Sequence, residues 1–287
     1  MFRSLVPVLT ATLALSLLGA CGRSTQRPAT VEGRGGADTL YTFTYEGSDL
    51  VEVEYEVEGD RRETWELTWE GGQLAELLID YDSGGETVHT FTWEGGQLKS
   101  KLIESGNSET TVEYTFEGGV LTGVVAETRV DGDRVSDSEA EIVYEGGRIT
   151  SSIKDSSSEF FLVDVDITEE TEYSYDDQGR LEDVVVDLSG DADGRTRTDF
   201  EYNDQGRLEL VEREGRDYEL SYDDMGRVEE IDDEDGPRYE IVYDTGSSSG
   251  VVFDLIFVPY GGLYDLEGKG YSEYSSSSLS FLLGNGI

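Results

Sequence analysis

Residues 65–77 read Trp65-Glu66-Leu67-Thr68-Trp69-Glu70-Gly71-Gly72-Gln73-Leu74-Ala75-Glu76-Leu77. Trp65, Leu67 and Trp69 alternate with Glu66, Thr68 and Glu70, and a period of two in β-branched and aromatic residues is a half-buried strand. Gly71-Gly72 supplies the positive φ that a tight hairpin turn needs. The return strand opens on Leu74 and places its next aliphatic at Leu77. An i,i+3 step does not put both side chains on one face of a plain strand. The spacing therefore predicts a bulge beside the turn, which re-phases the strand.

The same unit recurs from residue 41 onward. Its anchors are Tyr45, Trp69, Trp93, Phe116, Tyr144, Tyr175, Tyr202, Tyr222 and a degenerate Tyr243. Their spacings are 24, 24, 23, 28, 31, 27, 20 and 21 residues. Tyr41 and Phe43 alternate before Tyr45, and Tyr239 and Ile241 before Tyr243. Leu121 with Val124, Leu181 with Val184 and Leu208 with Val211 repeat the i,i+3 step. A fixed period of this size marks a repeat architecture.

Nine two-strand units predict about 18 strands in one antiparallel meander. No helical period follows residue 21, and only Pro28, Pro237 and Pro259 interrupt the chain there. A sheet with one apolar face must roll up or close, which also removes its edges. The expected fold class is all-β, about nine β-hairpin repeats in a rolled or barrel-like sheet. Residues 40–246 form the repeat domain. Residues 247–287 leave the pattern with two apolar runs and read as a C-terminal cap or closing strands, with a partner-docking surface as the alternative. A transmembrane barrel would need apolar outward positions, whereas Glu66, Thr68, Glu113 and Glu201 oppose the aromatic face.

The chain has 287 residues, with 64 Asp+Glu against 21 Lys+Arg and a formal charge of −43. Such a chain repels a phosphate backbone, so nucleic acid is excluded as a partner. One Cys and one His exclude a disulfide scaffold and leave almost no material for a zinc site. The 17 Tyr and 10 Phe are too many for an acidic disordered tail. High acid with four lysines fits either a salt-adapted surface or a surface that gathers cations.

Ahead of the repeats, Arg3 precedes an apolar stretch from Leu5 to Leu18, too short and wrongly flanked to span a bilayer. Leu18-Gly19-Ala20-Cys21 resembles the bacterial lipobox. The resemblance implies a signal peptide over residues 1–20 and lipidation of Cys21, with the membrane as partner through the lipid anchor. Gly22, rather than Asp, follows the cysteine; by the same resemblance this favours the outer membrane of a Gram-negative cell envelope. Residues 21–39, rich in Gly, Arg, Thr and Ser, read as a flexible tether.

Tyr175-Asp176-Asp177-Gln178-Gly179-Arg180-Leu181, Tyr202 to Leu208 and Tyr222 to Val228 resemble YD repeats of the RHS type. The match is most specific over residues 171–244; over residues 41–150 Glu-Gly-Gly replaces Asp-x-x-Gly-Arg. Large RHS proteins form hollow β-shells around a toxin, and this chain is too short for that. It is similar to small bacterial lipoproteins with a YD-like array, a resemblance that lends no catalytic residue.

Two acidic loops are candidate calcium ligands: Asp191 and Asp193 in an Asp-x-Asp-Gly string, and Asp232, Asp233 and Asp235 in a run of six acids. Against the EF-hand pattern, Ser189 and Phe200 fall where ligands are needed, and turn formers in solvated loops are the other reading. Calcium is the one cofactor these loops allow for. His89, the only histidine, reads as a packed strand residue. Arg148, Arg180, Arg207 and Arg227 hold equivalent turn positions and predict an ion-pair ladder with neighbouring turns, or an anion-binding stripe. No catalytic constellation stands out. The expected function is a non-enzymatic, lipid-anchored envelope protein acting as a β-repeat scaffold or interaction surface. The alternatives are a cation-dependent glycan or surface-polymer binding module and, further off, a carboxylate-based glycan hydrolase. The expected partners are accordingly an envelope protein or a glycan.

Overall fold

A computed structural model describes residues 27–34, 38–160, 163–213, 215–224, 226–233 and 238–244. The described residues form eighteen strands and no helix. In chain order these are β1 (Arg27–Arg34), β2 (Thr39–Glu46), β3 (Asp49–Val57), β4 (Asp60–Glu70), β5 (Gln73–Tyr81), β6 (Glu86–Glu94), β7 (Gln97–Ser105), β8 (Ser108–Glu117) and β9 (Val120–Val130). The second half is β10 (Asp133–Glu145), β11 (Arg148–Phe160), β12 (Val163–Tyr175), β13 (Leu181–Gly190), β14 (Gly194–Tyr202), β15 (Leu208–Arg213), β16 (Arg216–Tyr222), β17 (Val228–Asp233) and β18 (Arg238–Asp244).

Each strand pairs antiparallel with its neighbours in sequence, and the ring is closed by β1. On one side Val31 faces Tyr41 of β2, and on the other it faces Ile241 of β18. The result is a closed antiparallel barrel, as the repeat arithmetic predicts. The closing strand, however, comes from the stretch read as tether, so residues 27–34 correct that reading. The segment carries one buried aliphatic, Val31, too little to show a period. Its pairing comes from two partner strands that lie far apart in sequence. Gly33 fits because Thr39 and Tyr239 close over it from both sides, and a Cβ there would collide with both side chains. The ring closes without residues 247–287, which lie outside the described residues together with residues 1–20 and Cys21.

The local devices follow the sequence. Gly71 and Gly72 have φ of 60° and 84°, as a primed hairpin turn requires. Trp69 faces Leu74 while Thr68 faces Glu76, leaving Ala75 as the bulged residue. The same register shift precedes every anchor from Tyr45 to Tyr222. The bulge is what lets Leu74 and Leu77 both turn inward, each 2% exposed.

The repeat turns thus gather at one end of the barrel, the anchor end, and the connecting loops at the other, the far end. A round barrel of this strand number would hold a water-filled channel. Here the inner side chains form one packed cluster that includes Val53, Trp65, Ile79, Val112, Val184 and Phe200, all 4% exposed or less. Thr87, His89, Lys101, Thr110, Lys154 and Thr171 are buried among the polar residues. The outer wall presents acids, Glu66, Glu113 and Glu201 among them. Each would be costly in hydrocarbon, so this wall is built for water.

Closure through Gly33 is testable. Gly33→Val is expected to destabilise the barrel by about 1–3 kcal/mol through overpacking. It should also release β2 and β18 as sticky edges, seen as concentration-dependent oligomers in light scattering. A monomeric variant of unchanged stability would show that β1 does not hold the ring.

Candidate functional site

The residues with the most chemistry lie at the anchor end, in the Tyr-Asp-x-x-Gly-Arg-Leu turns. Asp176 organises the first of them. Its Oδ1 accepts the N–H groups of Gln178 (2.9 Å) and Arg180 (2.8 Å), and its Oδ2 accepts Nε of Arg180 (2.6 Å). Desolvation of the Asp176 carboxyl works the other way, yet these N–H groups and the Arg180 charge hold it below the usual carboxylate range. Asp223 binds Arg227 in the same manner, with Nε at 2.6 Å. In the turn between them the acid is replaced by Asn203, which still caps the turn by accepting the N–H groups of Gln205 and Arg207. Arg207 accordingly lacks the own-turn ion pair that Arg180 and Arg227 make, because an amide cannot form it.

Each arginine then reaches the next repeat. Arg180 lies 4.3 Å from the Tyr202 ring centre and Arg227 4.4 Å from that of Tyr243. Arg148 and Arg207, which lack the turn aspartate, stand at 5.3 Å over Tyr175 and Tyr222. The carboxylate aims the guanidinium, and the tighter stacking follows from it. Gly179 and Gly226 pass beneath Arg148 and Arg207, where a Cβ would overlap the guanidinium. The anchors form a second link. The hydroxyls of Tyr175, Tyr202, Tyr222 and Tyr243 donate to the carbonyls of Ile149, Leu181, Leu208 and Val228 in the preceding repeat. The indoles of Trp69 and Trp93 do the same toward Leu50 and Leu74. Phe116 has no hydroxyl to give, and that of Tyr144 is buried without a hydrogen-bond partner.

The expected ion-pair ladder is therefore corrected in its partners. The acid that Arg180 and Arg227 meet is in their own turn, four residues earlier, and the neighbour contributes its aromatic face. Sequence reading missed this stacking. A partial signal was present: every turn with arginine (148, 180, 207, 227) is followed by a tyrosine anchor, although the Phe116 turn, which has none, is followed by Tyr144.

The calcium candidates lie at the far end. Asp191 closes the β12–β13 pair, its Oδ2 accepting the N–H of Asp166 at 2.9 Å. Asp193 is exposed in the same loop. Asp232, on β17, faces Glu219 and Arg238 across its two ladders. The side chain of Asp233 and all of Asp235 lie outside the described residues. The β15–β16 hairpin separates the two loops, and among the described residues no three His, Cys, Asp or Glu side chains converge on a metal position.

His89 sits on the inner face of β6, opposite Leu77 and Ile103, fully buried, with neither ring nitrogen hydrogen-bonded. Burial, reinforced by the nearby charge of Lys101, holds its pKa well below the usual imidazole value. On the outside of the anchor end, a groove of about 890 Å³ runs between the β14–β15 and β16–β17 turns. Its lining includes Tyr202, Tyr222, Gln205, Asp204, Asp224 and Glu229.

Two measurements probe this arrangement. Asn203→Asp should complete the missing ion pair and raise stability by about 0.5 kcal/mol, read from urea unfolding. No gain would mean that the aspartate does not hold the arginine on its ring. For His89, unfolding restores an ordinary imidazole of pKa about 6.5. Below that pH the unfolded chain binds a proton that the folded chain refuses. Stability present above pH 6.5 is then lost as pH falls, by up to about 1.4 kcal/mol per unit. The stability gap between wild type and His89→Leu should widen in favour of the variant by about 1–2 kcal/mol between pH 7.5 and 5. A gap that stays constant would show that His89 is protonated inside the barrel.

No protein-family model and no curated protein sequence matches the chain. Among solved structures, it is similar to a porin-like protein from Bacteroides vulgatus, with 11% identity and a TM-score of 0.44. That similarity covers 76% of this chain and 98% of the other. The toxin complex TcdB2-TccC3 shares 11% identity over 69% of this chain, at a TM-score of 0.16. There the chain spans only 16% of the other's length.

Proposed function

We propose that this protein is a non-enzymatic, lipid-anchored barrel of the bacterial cell envelope that works through its outer surface, as a scaffold or interaction module. The observation that carries the reading is how the repeat residues are used. The anchors, turn aspartates and arginines bind one another, the interior is filled by side chains, and the acidic wall is what remains for partners. The lipobox-like Leu18-Gly19-Ala20-Cys21 supports the anchor and the address. A second reading, cation-dependent binding of a glycan or surface polymer, draws on the groove of Tyr202 and Tyr222. There aromatic rings stand beside carboxylates and the Gln205 amide.

Two experiments test these readings. In a bacterial host, the full chain should fractionate with membranes, and Cys21→Ser should shift it out of the lipid fraction. Membrane association of the variant equal to wild type would overturn the anchor. Melting of the chain in calcium and in NaCl at matched ionic strength separates the two surface readings. Equal, unsaturating stabilisation is expected if the acids serve solvation, because salt only screens them. A calcium effect that saturates and that NaCl does not reproduce would favour the second reading.

A further inference from the structure

We infer that the anchor end of the barrel faces the bilayer and the far end faces solution. The inference rests on the lipid anchor proposed above and adds the direction in which the anchor holds the barrel. It follows from where the first strand begins. β2 runs from the far end to its repeat turn, so antiparallel β1 starts at the anchor end. There Arg27 faces Asp244, the last residue of β18, so both ends of the described chain leave the barrel on the same side.

The length of chain between Cys21 and Arg27 sets the geometry. Six Cα steps at full extension reach about 21 Å. β1 has 8 residues, and its seven steps cover about 23 Å toward the far end. The short tether therefore holds the start of β1, and with it the anchor end, closest to the lipid. Exposed acids line the wall and the anchor-end turns alike, Glu70, Glu94 and Asp204 among the latter, so charge does not choose between them. The anchor end offers nine half-buried aromatic anchors, Tyr45 to Tyr243, around its rim. Tyr and Trp favour the headgroup level, where an apolar ring and a polar tip are both accommodated.

The orientation places the loops of Asp191, Asp193 and Asp232 at the far end, toward solution. Partners reaching the barrel from solution would meet those loops first, and the Tyr202–Tyr222 groove would open close to the headgroups.

The test uses the full lipidated chain in phosphatidylcholine vesicles that carry a headgroup nitroxide lipid. Cys21 is acylated, so one added cysteine takes a fluorescent label. Ser48→Cys and Asp204→Cys mark the anchor end, and Asn107→Cys and Asp193→Cys mark the far end. All four positions are exposed. The expected result is strong quenching at 48 and 204, at least threefold that at 107 and 193. Equal quenching at both ends would mean that the barrel lies on its side and would overturn the orientation. Quenching at neither end, in protein that floats with the vesicles, would overturn it as well. Flotation is scored on the same samples: a labelled wild-type chain that fails to float removes the anchor itself, and the orientation with it.

Discussion

Two rows of backbone hydrogen bonds, one on either side of β1, hold this molecule shut. Seventeen strands in a meander would present two edges and an unfinished apolar face. The eighteenth removes both edges at once, although it contributes a single buried aliphatic, Val31. What the ring needs at this position is N–H and C=O groups and very little bulk. Gly33 shows how little, with Tyr239 and Thr39 packed over it. The least hydrophobic segment near the repeats therefore performs the step on which burial of the inner face depends.

Closure fixes the neighbours of every hairpin, and the junctions between repeats then use two chemistries. At the early junctions a tryptophan indole donates to the preceding leucine carbonyl, and Gly-Gly makes the turn. At the later ones a tyrosine hydroxyl makes the same bond, and an arginine from the previous turn covers the ring. The geometric problem is common to both: a carbonyl released by the bulge must find a donor in the next repeat. A backbone acceptor of this kind costs free energy if buried unpaired. At six of the eight junctions the anchor is a long, rigid side chain whose polar tip reaches this carbonyl while the ring fills the rim; Phe116 and Tyr144 only fill it.

The legible part of the fold was the local part. Alternation, glycine turns and the i,i+3 aliphatic step are written within a dozen residues, and the structure has strands, positive-φ turns and bulges where they predict. β1 was not legible because Val31 stands alone in it and the pairing that closes the ring, with β18, spans the whole repeat array. The partners of the arginines were misassigned for a related reason. A carboxylate four residues back in a tight turn is nearer than any acid across a hairpin, and only the folded turn shows this. Asp191 was legible only as an acid in a loop, a candidate ligand or a turn former; the backbone N–H of Asp166 that its Oδ2 accepts is a contact composition does not show. His89 was read as packing, and its burial at 0% exposure agrees.

The charge of −43 then has to be carried by a structure that gains little from it. Like charges face each other across ladders, as Glu52 with Glu66 and Glu230 with Glu240, and such pairs oppose folding. The surface ion pairs that offset them, Arg129 with Glu127 or Arg195 with Asp187, are exposed on both partners and contribute little each. Two of the four lysines, Lys101 and Lys154, are buried inside, where they do nothing to neutralise the wall. Stability must therefore come from the packed interior, the closing strand and the junctions at the anchor end. The acidic wall is a load on the fold rather than a support, which places its reason in what surrounds the barrel: the ions that solvate it or the partner it meets.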